Sequence, residues 1–161
     1  MRAITVKQPW AWAIATGAKT VENRGRPHPW TSAIGVRIAI HAGKGWDATA
    51  LNGRALIDLA LAVEGQRPEH VANGGVPYAA ALPYLLPNCH HQGAVMATAL
   101  LADVHAGTPG CGCDPVWAAP DQWHLILRDI APVKPVPCRG ALGLWPLPAD
   151  VLQLVRPQEA P

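Results

Sequence analysis

The chain has 161 residues, half of them apolar and 15% charged, so it is long enough for one good core and too apolar to be disordered throughout. No apolar run reaches the length of a bilayer span, and the N-terminus shows no basic and apolar leader, which predicts a cytoplasmic protein without a membrane partner. The formal net charge is only +2, but residues 1–54 hold eight of the thirteen basic side chains against two acidic ones. This asymmetry indicates an electropositive face suited to a phosphate-bearing ligand, and the alternative is a solvated surface without a partner.

The N-terminal stretch gives the clearest succession of elements. A strand pattern at residues 4–6 precedes Pro9, which suits the first turn of a helix because its missing N–H would be unpaired there. We therefore expect a helix over residues 10–16 that Gly17 ends. Residues 19–24 then alternate like a half-buried strand, and they place several polar side chains just beyond the helix end.

The rest of the chain is predicted to contain mostly strands. The expected elements are a loop at 25–32, a strand at 35–42, a flexible turn at 43–45, a helix from the N-cap Asp47 to about Val63, strands at 93–105 and 123–130, an extended segment at 132–137, a strand at 139–147 and a short helix at 148–155. Because strands outnumber helices and most connections are short, we predict an α+β fold. It would be a small mixed β-barrel with two or three helices, forming a single domain over 1–161 with an irregular insertion at about 66–92.

Three motifs carry a resemblance to a known family. They are Gln8-Pro9-Trp10-Ala11; Gly17-x-Lys19-Thr20-Val21-Glu22-Asn23-Arg24 with the strand at 35–42 behind it; and Pro137-x-Arg139-Gly140-x-Leu142-Gly143-Leu144-Trp145. In this order, over most of the chain, they resemble the ASCH domain family, a branch of the PUA-like β-barrels. The resemblance implies a PUA-like barrel whose ligand pocket lies at the first two motifs.

The second motif also resembles the bacterial N4-acetylcytidine amidohydrolases of this family, at Lys19, Thr20 and Arg24. Those enzymes use a Thr nucleophile three residues after the Lys, where this sequence has Glu22. Covalent Thr chemistry therefore does not carry over. Lys19, as a cationic anchor or with a lowered pKa, and Glu22, as a base that activates water, remain the predicted catalytic pair. The alternative is structural: Lys19 at a helix C-terminus and Glu22 paired with Arg24.

Ligand contacts are predicted from side chains that stack on or hydrogen-bond to a base. An aromatic plate is worth about 1–3 kcal/mol per stacked base, and a Gln amide offers both a donor and an acceptor to a base edge. For a single Trp the alternative is core packing, which we expect for Trp12 and Trp145. The predicted ligand-binding residues are Gln8, Trp10, Arg24, His41, Trp123 and Arg139, with Trp30 as a further aromatic candidate.

Cysteine and histidine residues raise the question of a metal. His105, Cys111 and Cys113 could supply three zinc ligands, with Cys89, His90 or Cys138 as a fourth. However, the Cys-x-Cys spacing is shorter than the usual zinc spacer, and disulfides are rare in cytoplasmic proteins. The simpler expectation is free thiols in loops, so no metal and no other cofactor is predicted.

These observations favour a domain that binds RNA or a modified nucleoside. A base would enter a pocket lined by Gln8, Trp10, Lys19, Glu22 and Arg24, and a basic rim would hold the backbone. The first alternative is an amidohydrolase that acts on N4-acylated cytidine through Lys19 and Glu22. The second is metal-assisted ribonuclease activity, which is also seen in the family. The sequence does not determine the base, the strand type or the oligomeric state.

Overall fold

The structure is a computed structural model that describes residues 1–26, 29–48, 50, 56, 59 and 91–155. Most of the predicted helix from Asp47 to about Val63 and most of the predicted insertion at 66–92 lie outside these residues. The two predictions therefore remain predictions. No helix among the described residues is long and apolar enough to cross a membrane.

The described residues form six strands, two short α-helices and a 3-10 helix. In chain order these are β1 (Arg2–Gln8), α1 (Trp10–Ala15), β2 (Val21–Arg24), the 3-10 helix (Pro29–Ala33), β3 (Arg37–Trp46), β4 (Ala94–Ala106), β5 (Trp123–Pro137), β6 (Leu144–Pro146) and α2 (Ala149–Leu154). The predicted α+β class, with strands in the majority, is confirmed. So are the helix after Pro9 and its stop at Gly17, whose φ is +82°.

The six strands form one mixed sheet in the order β2-β5-β4-β3-β1-β6. Strand β1 runs parallel to β3, and the other neighbouring pairs are antiparallel. The β4–β5 ladder contains three register shifts, and such bulges bend and twist a sheet locally. Within the described residues the sheet is curled into part of a barrel.

Strand limits differ from the prediction in two places. The predicted turn at 43–45 is wrong, because β3 continues through it to Trp46. A Cβ at Gly43 would lie 2.9 Å from the Thr5 side chain, so the glycine there permits β1 to approach closely and does not mark a turn. The predicted strand at 139–147 is shortened to residues 144–146, whereas β5 takes in the extended segment at 132–137.

The core fills both faces of the sheet because inward and outward residues alternate along the strands. In β1, Ile4 faces the main cluster with α1, and its neighbour Ala3 faces a second cluster that α2 covers. Trp12 and Trp145 are 5% and 7% exposed, which confirms their predicted place in the core. Core contacts of Ala11 and Ile14 hold α1, and with it the second motif that follows, against the sheet.

Candidate functional site

A cavity of about 850 Å³ opens where α1, β2 and the 115–119 segment meet, which is within the usual size range of small-molecule pockets. Four of the predicted site residues line it: Trp10, Lys19, Glu22 and Arg24. The remaining wall is built from the end of β1, from β3 and from two loops. Besides these four residues, the principal lining side chains are Thr5, Lys7, Asn23, Lys44, Asp47, Val116, Trp117, Gln122 and Leu142.

Lys19 is buried at this site, with 2% of its surface exposed. After Gly17 reverses the chain, the Lys19 N–H donates to the Ala13 carbonyl at 3.0 Å, which directs the side chain inward. Its ammonium donates to the Val21 carbonyl and lies 5.5 Å and 6.0 Å from the ring centroids of Trp10 and Trp117. Desolvation by burial lowers the pKa of Lys19, the Glu22 carboxylate opposes this shift, and nearby Arg24 adds to it.

Glu22 lies between two cations. Its Oε2 is 4.0 Å from Lys19 Nζ, its Oε1 is 3.2 Å from an Arg24 guanidinium nitrogen, and the residue is only 6% exposed. Arg24 also donates to the Thr5 carbonyl at 2.9 Å and lies over the Trp30 ring, with 5.4 Å to its centroid. Arg24 therefore packs against Trp30. The Glu22 carboxylate and the Lys19 ammonium lie side by side at the cavity wall.

Trp117 is a lining residue that the sequence did not single out, because it falls between the predicted strands at 93–105 and 123–130, where no element was assigned. The Asn23 side chain holds that segment: its Nδ2 donates to the Trp117 carbonyl at 2.8 Å, and its Oδ1 accepts from the Ala119 N–H at 3.0 Å. Opposite, Trp10 Nε1 donates to Asp47 Oδ2 at 3.1 Å. The Trp10 indole and the Trp117 backbone are therefore each held by a hydrogen bond. The only advance signal for Trp117 was its residue type.

Two exposed lysines lie at the rim of the cavity. Lys7 extends from β1 across Gly45, where a Cβ would come within 3.6 Å of its side chain, and Lys44 lies on the neighbouring β3. Both belong to the basic N-terminal third of the chain.

Four predicted ligand-binding residues lie outside the lining of this cavity. Gln8 is fully buried, and both ends of its amide are used internally: Oε1 accepts from the Trp12 N–H and Nε2 donates to the His91 carbonyl, each at 3.0 Å. Trp123 packs partly buried against the main core, opposite Arg24 in the β2–β5 ladder. The other two are His41 and Arg139.

His41 and Arg139 line a second cavity, of about 920 Å³. His41 is 1% exposed, its Nε2 lies 3.1 Å from the Cys138 carbonyl, and its ring meets Trp145 edge to face. Burial lowers the pKa of His41. Arg139 is exposed at the mouth of this second cavity. This cavity adjoins the first one, because Thr5, Lys44 and Leu142 line both, but His41 and Arg139 are not among the residues that line the cavity of the Lys19–Glu22 pair.

The predicted His and Cys candidates come together at one end of the sheet. His105, Cys111 and Cys113 converge, and His124 completes the group, with all four ligand atoms within 4.8 Å of one another. Cys138, one of the residues considered as a fourth member, lines the second cavity instead. Cys89 and His90 lie outside the described residues. His124 was missed because it reaches the cluster only through the pairing of β4 with β5.

Neither a protein-family model nor a curated protein sequence matches the chain. Among solved structures, the chain is similar to the crystal structure of ASCH from Zymomonas mobilis, with 17% identity, a TM-score of 0.49, and coverage of 96% of this chain and 92% of that one. Two single-residue variants of the same Zymomonas mobilis protein are also similar, each with 17% identity and a TM-score of 0.48 over 94% of this chain and 93% or 91% of theirs. All three are ASCH structures, the family that the sequence motifs resemble.

Proposed function

We propose that this protein binds one base of a nucleoside or of an RNA strand in the first cavity. The observation that carries the proposal is the pair of indoles, Trp10 and Trp117, whose ring centroids lie 5.5 Å and 6.0 Å from the ammonium of the buried Lys19–Glu22 pair in a cavity of about 850 Å³. Stacking of a base on one aromatic side chain contributes about 1–3 kcal/mol. The Trp10 indole is held by its hydrogen bond to Asp47 and the Trp117 backbone by its hydrogen bond to Asn23, which reduces the freedom that these residues lose when a base binds.

The Lys19–Glu22 pair offers an edge that is complementary to a base. The Lys19 ammonium, a donor, lies 4.0 Å from the Glu22 carboxylate, an acceptor, so both types of partner face the cavity within one small region. Glu22 would accept from an exocyclic amino group, as carboxylates do from cytosine N4, and Lys19 would donate to a ring nitrogen or carbonyl. This arrangement favours a base that carries an amino donor beside an acceptor.

The rim lysines supply the contact with phosphate. Lys7 and Lys44 are exposed at the cavity edge, where a strand leaving the pocket would pass. Each phosphate neutralised by such a side chain adds about 0.7 to the slope of the logarithm of affinity against the logarithm of salt concentration for a single strand. A free nucleoside lacks these phosphates, so its binding should depend little on salt.

Calorimetric titration with cytidine, N4-acetylcytidine and a short single-stranded RNA at several salt concentrations tests the proposal. Trp117→Leu should weaken binding of all ligands that bind by about fivefold to about 150-fold, equivalent to the loss of about 1–3 kcal/mol of stacking. Lys44→Gln should lower the RNA salt slope by about one unit or less and leave nucleoside binding unchanged. Lys134→Gln, an exposed change on β5 outside the cavity lining, is the matched control. No binding of any of these ligands by folded protein, or unchanged binding by Trp117→Leu, would overturn the proposal.

A second candidate function is hydrolysis of an N4-acylated cytidine. It is favoured by the lowered pKa of Lys19 beside a carboxylate in a cavity, since groups with shifted pKa values concentrate at catalytic sites. Glu22 would remove a proton from water as the water oxygen attacks the acyl carbon. The Lys19 ammonium would donate a proton to the departing N4 amine, giving cytidine and a carboxylic acid.

Chromatographic assay of N4-acetylcytidine hydrolysis distinguishes the two candidates. Turnover that is lost in both Lys19→Ala and Glu22→Ala, and kept in Lys134→Ala, would establish the hydrolase. Absence of turnover by wild-type protein that still binds the nucleoside would exclude this substrate and leave a binding site.

A further inference from the structure

We propose that His105, Cys111, Cys113 and His124 bind one zinc ion, which fastens the loop at 107–122 to the sheet. Two imidazoles and two thiols form a ligand set that zinc prefers in structural sites. The inference is independent of the function proposed for the cavity, because none of the four side chains lines that cavity.

The four ligand atoms lie close to the spacing that a tetrahedral ion requires. With zinc bonds of about 2.0–2.3 Å, neighbouring ligand atoms in a tetrahedron lie roughly 3.3–3.8 Å apart. His105 Nε2 lies 3.2 Å from Cys113 Sγ, Cys111 Sγ lies 3.7 Å from His124 Nδ1, and no pair among the four exceeds 4.8 Å. Only small side-chain adjustments separate this arrangement from coordination of a common ion.

The outer nitrogen of each histidine has the partner that metal-binding histidines usually have. His105 Nδ1 lies 2.8 Å from Asp103 Oδ2, and His124 Nε2 lies 2.8 Å from the Ala119 carbonyl. In metal sites, a carboxylate or backbone carbonyl at this position fixes the tautomer so that the other nitrogen faces the ion. Both rings are therefore oriented with their free nitrogens toward the thiols. A surface histidine pair would not require this double orientation.

The backbone brings the ligands together from three segments. His105 and His124 are directly paired across the β4–β5 ladder, and their ring centroids are 5.6 Å apart. The two cysteines come from the loop between these strands, where Gly110 and Gly112 have φ values of +81° and +77°, a region that favours glycine. Such turns on both sides of Cys111 let residues 111 and 113 aim at one point in spite of their short spacing.

Gly107 shows how closely the loop is fitted to the cluster. A Cβ at this position would lie 2.5 Å from His124 Nε2 and 2.6 Å from the Gln122 carbonyl oxygen. The Gly107 N–H donates to that same carbonyl at 2.6 Å. The loop therefore begins against the His124 ring, close to its Nε2.

A closed site of this kind has a structural consequence for the first cavity. The loop that supplies Cys111 and Cys113 continues to Trp117, which lines the cavity and is tied to Asn23. Zinc bound at the base of the loop would limit its motion and so hold one wall of the cavity. We assign no catalytic role to the ion, because four protein ligands leave no open position for water or substrate.

Metal analysis of the purified protein, reduced and passed over a chelating resin before loading with Zn²⁺, tests the site directly. We expect about one ion per chain in the wild type, and loss of this ion in both Cys111→Ser and Cys113→Ser. Cys138→Ser, which alters a thiol outside the cluster, should keep it. Asp103→Asn should keep the ion but weaken affinity by about 10-fold to about 100-fold, because Asp103 positions His105 without touching the metal.

Titration of the metal-free wild type with Co²⁺ gives a readout that does not depend on any variant folding. Tetrahedral coordination by thiolates should produce thiolate-to-cobalt charge-transfer absorption with intense visible bands, and added Zn²⁺ should abolish both and raise the thermal unfolding temperature. Failure of reduced, folded wild-type protein to bind Co²⁺ or Zn²⁺ would overturn the proposal. Retention of the same spectrum by Cys111→Ser or Cys113→Ser would overturn it as well.

Discussion

Replacing Glu22 with glutamine should destabilise the protein far more than replacing Lys19 with methionine. The Glu22 carboxylate lies 4.0 Å from Lys19 Nζ and 3.2 Å from an Arg24 nitrogen. With an effective dielectric constant of about 20, these distances correspond to gross attractions of about 4 and about 5 kcal/mol. Glu22→Gln removes both and leaves two cations in a largely buried cluster. For the loss of one partner in such a cluster, the free energy of unfolding should fall by about 3–5 kcal/mol.

The Lys19→Met change removes the attraction between Lys19 and Glu22. It also removes the cost of desolvating the Lys19 ammonium. Lys19 is 2% exposed, and the desolvation of a buried ion costs several kcal/mol, which offsets most of the attraction to Glu22. Glu22 keeps its contact with Arg24, and the methionine replaces an ammonium that lies 5.5 Å and 6.0 Å from the Trp10 and Trp117 ring centroids, so it remains beside apolar rings. We expect the free energy of unfolding at neutral pH to change by less than about 1 kcal/mol.

The pH dependence provides a second test of the same reasoning. Burial lowers the pKa of Lys19 in the folded protein below its ordinary value of 10.5. At pH values between this lowered pKa and 10.5, the unfolded chain therefore binds more protons than the folded protein. The wild type should therefore become more stable with rising pH in this window, by up to about 1.4 kcal/mol per pH unit from this group. Lys19→Met lacks the titrating amine and should not show this increase.

Urea unfolding followed by far-ultraviolet circular dichroism, from about pH 7 to about pH 10, measures both effects. Lys134→Met, an exposed lysine change on β5, is the control for loss of a positive charge. A loss of stability in Lys19→Met as large as that in Glu22→Gln would refute the view that desolvation offsets the ion pair. Equal pH slopes in the wild type and Lys19→Met would refute the lowered pKa.

Three further changes should report on the residues around the site. Gln8→Leu should lower the free energy of unfolding by about 1–3 kcal/mol in urea titrations, because it leaves a buried helix N–H and a carbonyl without their amide partner, and an unchanged value would contradict this structural role. Gly107→Ala should lower both the thermal unfolding temperature and the Co²⁺ affinity, because the new methyl group would collide with the His124 ring, whereas Gly25→Ala, with no atom within 4 Å of its added Cβ, should do neither. The wild type should lose stability as the pH falls from 6.5, because the lowered pKa of His41 means that the unfolded chain takes up the proton first. His41→Gln should lack that part of the acid dependence in urea titrations, and an identical pH profile would contradict burial as its cause.

Local signals determined much of this protein. Pro9 and Gly17 predict the limits of α1, and short strand patterns or apolar runs predict β1, β3 and β4, because each of these signals acts within a few residues of the chain. The same locality explains why Lys19, Glu22 and Arg24 could be selected together. They lie within six residues of sequence and meet through contacts along one strand and its preceding turn.

Only the tertiary structure decided which distant residues join these local groups. Trp117 reaches the cavity through hydrogen bonds to Asn23 that span 94 positions in the chain, and His124 joins the cysteines through a ladder register that contains bulges. Gln8 was predicted to contact the ligand, but the structure buries it, and its amide hydrogen-bonds to the backbone of Trp12 and His91 instead. Residue types and short-range periodicity thus fixed the elements and their chemical groups. The pairing of strands far apart in sequence assembled the cavity and the metal-binding cluster, since register between strands depends on the whole sheet.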